Sequence, residues 1–444
     1  MGSITDIVET DRRVIVLALA RMVGAVGNSF LIVVLPLYVA SDLIDLNALL
    51  GTAVGVGSAT VTLTEPLLIG VVLSLFGFLN SLSQPFTGRL SDRLATRRPF
   101  VLGGIVLLGT ASGLYTLADS YWLLIVLRAI QGFGAALTIP ATVALVNEYA
   151  ASADKRGGNF GVFNTFRLIG FGFGPVLAGI VVEGGPYDLS AVGLPTVNGF
   201  DAAFAAACFG AYLSFVLVYV LVHDAADTAA AGDDVSIRVR GDDRLFDPVF
   251  VLGVATVAMG LCIALYATLQ NQVNLRLDQA PVWFGIQFAA VTIANVALQV
   301  PVGRASDRIG RRPFLLAGFV LLAPTTRLQG LVLSPVVMTL VRLGQGGAVA
   351  CVFAPSLALA GDLAREGESG TTLSVLTMGF GFGVALGPLA SGFLVGSGFV
   401  VPSAVRPGLA VVAPPPLATH VVQPSAAVLT PRADSATDAD TLER

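Results

Sequence analysis

The chain has 444 residues, 55% of them hydrophobic and only 12% charged, with 50 Gly, 23 Pro and a net charge of −4; its mean hydropathy is +0.82. That balance excludes a soluble globular domain and a basic nucleic-acid-binding surface, and points to a lipid bilayer as the solvent. Cys208, Cys262 and Cys351 all lie inside apolar runs, without disulfide or metal-ligand spacing, and read as packing residues.

A spanning helix needs about 20 apolar residues. In chain order the sequence offers eleven such runs: Val14–Ala40, Pro66–Phe86, Phe100–Ala118, Tyr121–Val146, Gly161–Val182, Ala202–Val222, Val249–Gln270, Val282–Val302, Phe314–Pro324 with its extension, Pro335–Ala360 and Leu373–Val395. Arg12 and Arg13 superficially resemble an export signal, but the run that follows is long and meets no convincing cleavage site, so it reads as an uncleaved first span. Ala48–Thr62, rich in Gly and Thr, reads as an outer loop rather than a span. After Phe399, Pro402, Pro407 and Pro414–Pro416 sit badly in one helix, so residues 399–444 read as a malformed twelfth span or a frameshifted tail.

With the N-terminus inside and sides alternating, the basic residues of Arg12–Arg13, Arg89–Arg98, Lys155–Arg156, Arg238–Arg244, Arg304–Arg312 and Arg365 all fall on one face, and only Arg276 and Arg327 on the other. This asymmetry predicts a multi-pass protein of the cytoplasmic membrane with a cytoplasmic N-terminus. The 22 Asp against 7 Glu, and 24 Arg against one Lys, fit a high-salt, haloarchaeal cytoplasm, although a GC-rich genome alone would favour Arg over Lys.

Three phrases recur in order. Gly88 and Asp92 answer Gly303 and Asp307 at an offset of 215, "RAIQG" at Arg128 answers "RLGQG" at Arg342 at 214, and "GFGFGPVLAG" at Gly170 answers "GVALGPLASG" at Gly383 at 213. Glu148 likewise answers Asp362 at 214. The sequence therefore predicts an all-α membrane protein of two pseudo-symmetric halves. Residues 1–223 form the first bundle, 224–247 a cytoplasmic linker, 248–398 the second bundle, and 399–444 an atypical C-terminal segment.

These phrases resemble those of the major facilitator superfamily (MFS) of twelve-helix transporters. "GRASDRIGRR" from Gly303 matches the family's loop motif Gly-x-x-x-Asp-Arg-x-Gly-Arg-(Arg/Lys), whereas in the first copy Ala95 and Thr96 stand where the Gly belongs. "RAIQG" resembles the Arg-x-x-Gln-Gly of the fourth helix, and "GFGFGPVLAG" the fifth-helix signature of the drug-antiporter branch. The resemblance implies a secondary active transporter working by alternating access. It further implies efflux or multidrug-type antiport, with an organic-anion or metabolite carrier, for instance of sugars, as the alternative.

Three sets of candidate residues follow. In the loop motifs that begin at Gly88 and Gly303, Asp92 and Arg93 are expected to engage Glu148, and Asp307 with Arg308 or Arg311, around the turn at Gly310, to engage Asp362, as a latch that forms in one transport state. The second copy, which keeps Gly310, is the better candidate, and the plainer alternative is that these arginines only hold the loops inside. Gly170, Gly174 and Pro175, with Gly383, Gly387 and Pro388, provide flat helix faces expected to mark the contact between the halves.

Polar residues deep in apolar runs form the third set, since each is costly unless it meets partners or water. They are Arg21, about 12 Å deeper than Arg13, Asn28, Arg128, Gln131, Asn164, Arg167, Gln270, Asn271, Asn295, Arg342 and Gln345, expected to line the substrate cavity. No Asp or Glu lies near the middle of a span, so proton coupling is unsupported and buried arginines without acids suit an anion. A proton or sodium gradient remains open, with no cofactor and no metal. No GxxxxGK loop occurs, the only Lys is Lys155, and His223 and His420 lie outside the eleven runs, which excludes an ATP-driven pump within this chain and gives no support for an enzyme. Expected partners are a small-molecule substrate and the bilayer, with no nucleic acid, the protein acting as a monomer.

Overall fold

The computed structural model describes residues 12–56, 59–149, 153–193, 195–224, 240, 246–363 and 369–395. The first half contains α1 (Arg12–Val39), α2 (Glu65–Arg93), α3 (Arg98–Leu114), α4 (Tyr121–Glu148), α5 (Ala153–Gly184) and α6 (Gly199–Leu221). The second contains α7 (Pro248–Ala264), the short α8 (Gln270–Leu277), α9 (Pro281–Ile309), α10 (Arg311–Leu328), α11 (Pro335–Leu363) and α12 (Ser369–Val395). Proline starts α2, α3, α7 and α9, where its missing N–H costs nothing. Among the described residues, ten helices are long and apolar enough to cross a membrane. Large apolar side chains such as Trp122, Phe209, Tyr219, Val320 and Leu340 point outward, as a lipid-facing surface requires.

Ala48–Thr62 contains no span: β1 (Ala53–Val56) and β2 (Ala59–Thr62) form an antiparallel hairpin. The seventh span departs from expectation. It stops at Ala264, passes through a 3₁₀ turn at Ala267–Leu269 and resumes as α8, whose amide-rich "QNQVN" no longer favours an apolar surround. The C-terminal segment 399–444 lies outside the described residues.

Packing repeats between the halves. In the first, α1 lies on α5 and α6, α2 on α4, and α3 on α4 and α6; in the second, α7 lies on α12, α9 on α11, and α10 on α11. The halves meet through α2 against α12 and α5 against α9. The end bearing Asp92 and Asp307 is here termed the basic end. There the apolar cores are separate: one joins Val14–Ala20 of α1 to Val101, Leu145 and Val218, another joins Val251–Cys262 of α7 to Leu315, Phe319 and Val352. At the opposite end one core runs through both halves, from Phe30–Val39 and Leu68 to Tyr266, Phe284 and Met338. Two bodies fused at one end and separately packed at the other is the arrangement this distribution of apolar residues produces.

Candidate functional site

Helical spacing builds a polar stripe inside the first half. Arg21 and Asn28 are seven residues apart on α1, Phe76 and Asn80 four apart on α2, Gln131 and Thr138 seven apart on α4, and Arg167 and Phe171 four apart on α5, so each pair shares a face. These eight residues, with mainly small or apolar side chains from α3 and α6, line a cavity of about 200 Å³. Arg167 is fixed by its own helix, donating from Nε and Nη2 to Asn164 Oδ1 at 3.0 and 2.9 Å. Arg21 has no hydrogen-bond partner among the described residues. Among the described residues, no acid lines the cavity.

The other predicted cavity residues lie elsewhere. Arg128 is buried at the seam of α4 with α2 and α3: its Nη1 donates to Gln131 Oε1 at 3.1 Å and its guanidinium lies 4.6 Å from the Phe76 ring centre. Gln131 in turn donates to Ser112 Oγ at 3.0 Å and accepts from Tyr115 at 3.0 Å. Arg342 repeats this arrangement. It donates to Gln345 Oε1 at 2.7 Å and lies 4.4 Å over Tyr266, while Gln345 donates to Thr326 Oγ1 and the Cys262 carbonyl, both at 3.3 Å. Arg342 and Gln345 are fully buried. The expectation that Arg128, Arg342 and Gln345 face the cavity is therefore corrected: in each Arg-x-x-Gln pair the guanidinium bonds the glutamine one helical turn on, leaving Arg128 Nε and Arg342 Nη2 buried without a hydrogen-bond partner among the described residues, and the glutamine ties neighbouring helices together. Asn164 supports Arg167, Asn271 donates to Glu65 Oε1 at 3.3 Å across the two halves, and Gln270 and the Asn295 oxygen are buried without hydrogen-bond partners.

At the basic end the centre of the network is Arg97, a residue the motif reading passed over. Only 3% exposed, it pairs with Asp92 at 2.6 Å and Glu148 at 3.1 Å, and Nη1 donates to Ser91 Oγ at 2.9 Å. The backbone N–H groups of Arg97 and Arg98 both donate to Asp224 Oδ1 at 2.8 Å. Arg93, expected to hold Glu148, is exposed. One signal was available: the residue answering Arg97 in the second copy is Arg311, which pairs with Asp307 at 3.3 Å. In both copies the Asp is held by the Arg beyond the turn. Arg308 is exposed, Gly303 is in open space, and the side chain of Asp362 lies outside the described residues. Although Ala95 and Thr96 stand where the motif has Gly, Ala95 adopts φ +49° and the first turn closes, as Gly310 closes the second at φ +113°.

The glycine seams are redistributed. A Cβ on Gly170 would collide with the Met22 carbonyl and one on Gly174 with Ser29 Oγ, both on α1; Gly383 and Gly387 meet Val257 and Leu261–Ala264 of α7 in the same way. These glycines pack within their own halves, not between them. Contact between the halves uses the opposite helix faces, where Gly285 meets the Pro175 carbonyl and Gly70 the Pro388 carbonyl, with Gly179 against Val282 and Gly392 against Pro66. A small-residue stripe dictates close approach but not which neighbour approaches.

The sequence profile of the Major Facilitator Superfamily matches residues 17–271 and 249–419. A relative described as a multi-drug resistance efflux pump PmrA homolog, from Lactococcus lactis, is 26% identical over 384 residues, 84% of this chain and 85% of that one. Among solved structures, a bacterial homolog of the human lysosomal transporter Spinster, inward-facing and occupied, aligns with a TM-score of 0.70 at 15% identity over 92% of this chain and 87% of that one. The human organic anion transporter MFSD10 aligns at 0.63 and 19% identity over 91% and 99%. With the family profile running through both halves and the twofold helix arrangement matching transporters of this kind, the chain belongs to the Major Facilitator Superfamily and is a multi-pass membrane transporter.

Proposed function

We propose that the protein is a secondary active transporter of the cytoplasmic membrane that exports amphipathic small molecules by alternating access. The observation that carries this reading is the uneven core: one continuous apolar cluster joins the halves at one end, while each half keeps its own cluster at the basic end. Halves packed this way can rock about their shared end. With the arginine-rich loops in the cytoplasm, as the positive-inside rule assigns them, the described state opens inward. Residues 1–223 and 248–398 act as the moving bodies, and 224–247 tethers them on the cytoplasmic side.

Arg97 with Asp92 and Glu148 then forms a contact whose making and breaking biases one state. Export, rather than uptake, is supported by the similarity to the efflux pump homolog along most of both chains. The test is transport by the full chain in proteoliposomes under an imposed proton or sodium gradient, across cationic dyes and organic anions. Gradient-dependent movement of at least one compound is expected, and movement of none under either gradient overturns the reading.

A further inference from the structure

The two guanidiniums in the first-half cavity have no structural task that explains both. Arg128 and Arg342 each carry a glutamine partner and an aromatic lid. Arg167 is oriented by Asn164, but Arg21 is hydrogen-bonded to nothing among the described residues, and both guanidiniums line the same cavity. Two like charges facing one cavity, inside a membrane and without an acid among the described residues of its wall, are unfavourable unless something anionic occupies it.

The charges are confined to one half. Val257 meets Gly383 as Met22 meets Gly170, so Arg21, one residue before Met22, answers to Thr256, and Arg167, three before Gly170, answers to Phe380. Thr256 is buried and bonded to the Gly253 and Leu376 carbonyls, and Phe380 packs against Phe353. The scaffold is duplicated but the arginine pair is not.

We propose that this cavity binds an amphipathic organic anion, its carboxylate or comparable oxyanion head held between Arg21 and Arg167 and its apolar body lying against Phe76, Phe171 and Leu31. Planar guanidiniums offer paired N–H donors that fit an oxyanion, and a site that excludes bulk water strengthens each contact. Asn164 is a positioning residue that keeps Arg167 turned toward the head group. That this anion is the cargo rests on the transport reading; that the cavity binds it does not.

The test uses the purified full chain with three ligands of one shape: naphthoate, neutral naphthamide and naphthylmethylammonium. Naphthoate should bind about tenfold or more tightly than naphthamide, with the cation weakest, a ratio expected of charge-assisted hydrogen bonds. Arg21→Gln and Arg167→Gln should each lower naphthoate affinity about tenfold or more while leaving naphthamide within about twofold. Arg21→Lys serves if a glutamine variant fails to fold, and should keep part of the preference for the anion. Equal binding of the three ligands by the native chain, or glutamine variants that retain the preference, overturns the proposal. In proteoliposomes the two readings separate. Naphthoate that binds while no compound moves under either gradient removes the transport reading and leaves the site, whereas gradient-driven movement of dyes without naphthoate binding leaves transport and removes the site.

Discussion

The two halves are alike where helices pack and unlike where a ligand would sit. Gly170 and Gly383 admit the backbone of α1 and α7, Ser112 and Thr326 both receive a glutamine amide, and Gly70 and Gly285 both receive a proline carbonyl. Yet Arg21 and Arg167 face Thr256 and Phe380 across the pseudo-symmetry. Packing demands are the same in both halves because the helices must meet in the same places, whereas binding a single substrate requires no symmetry. The difference thus sorts residues into those that hold the bundles together and those free to take on a ligand.

The largest effect should come from a duplicated position. Gly170→Val and Gly383→Val each drive a branched side chain into a backbone carbonyl of the facing helix, the Met22 carbonyl in one case and the Val257 carbonyl in the other. A helix cannot move aside without disturbing the whole bundle, so each should cost about 1–3 kcal/mol or more. Thermal unfolding in detergent should give losses of similar size; a Gly383→Val variant as stable as the native chain would break the equivalence of the halves.

How much of this was legible in the sequence follows the same division. Span positions, the repeat and the loop character of Ala48–Thr62 followed from hydropathy and spacing, which are local properties of the chain, whereas its hairpin did not. The break after Ala264 did not, because no Pro or Gly marks it and the change lies in amides that looked like the tail of a span. Arg21, Asn28, Gln131 and Arg167 were recognisable as polar residues at depth, and they line the cavity. Arg128 and Arg342 carry the same one-dimensional signature but are consumed by glutamines three residues on, which burial decides and sequence depth does not. Arg97 was hidden among the four arginines of one loop, distinguishable only once the fold placed Glu148 and Asp92 around it.

A smaller effect separates the two loop copies. Arg97 is nearly buried while its two acids are partly exposed, at 34% and 18% for their side chains, so the pairs are stronger than surface contacts and weaker than a sealed network. Arg97→Gln should cost about 1–3 kcal/mol by thermal unfolding, since it strands Glu148 and leaves Ser91 without its donor. Asp307, whose side chain is 58% exposed and pairs with Arg311 at 3.3 Å, should lose at most about 1 kcal/mol on change to Asn. If Asp307→Asn proved the costlier change, the first loop would not be the tighter of the two.

The turn residues separate the two copies by sign, because substitution at each should move stability in opposite directions. Ala95 holds a left-handed φ of +49°, a conformation that costs a residue with a Cβ about 1–2 kcal/mol. Glycine removes that cost but adds about 0.5–1 kcal/mol of chain entropy to be lost on folding. Ala95→Gly should therefore stabilise by roughly 0–1.5 kcal/mol, the remainder of the two terms. Gly310 sits at φ +113° and ψ 145°, toward a region that residues with a Cβ enter only under strain, so Gly310→Ala should destabilise by about 1–3 kcal/mol. Unfolding midpoints moving in opposite directions for the two variants would establish that both loops close through a positive-φ residue despite the extra residue in the first. A destabilised Ala95→Gly would mean instead that the methyl group makes a contact worth more than the strain it carries.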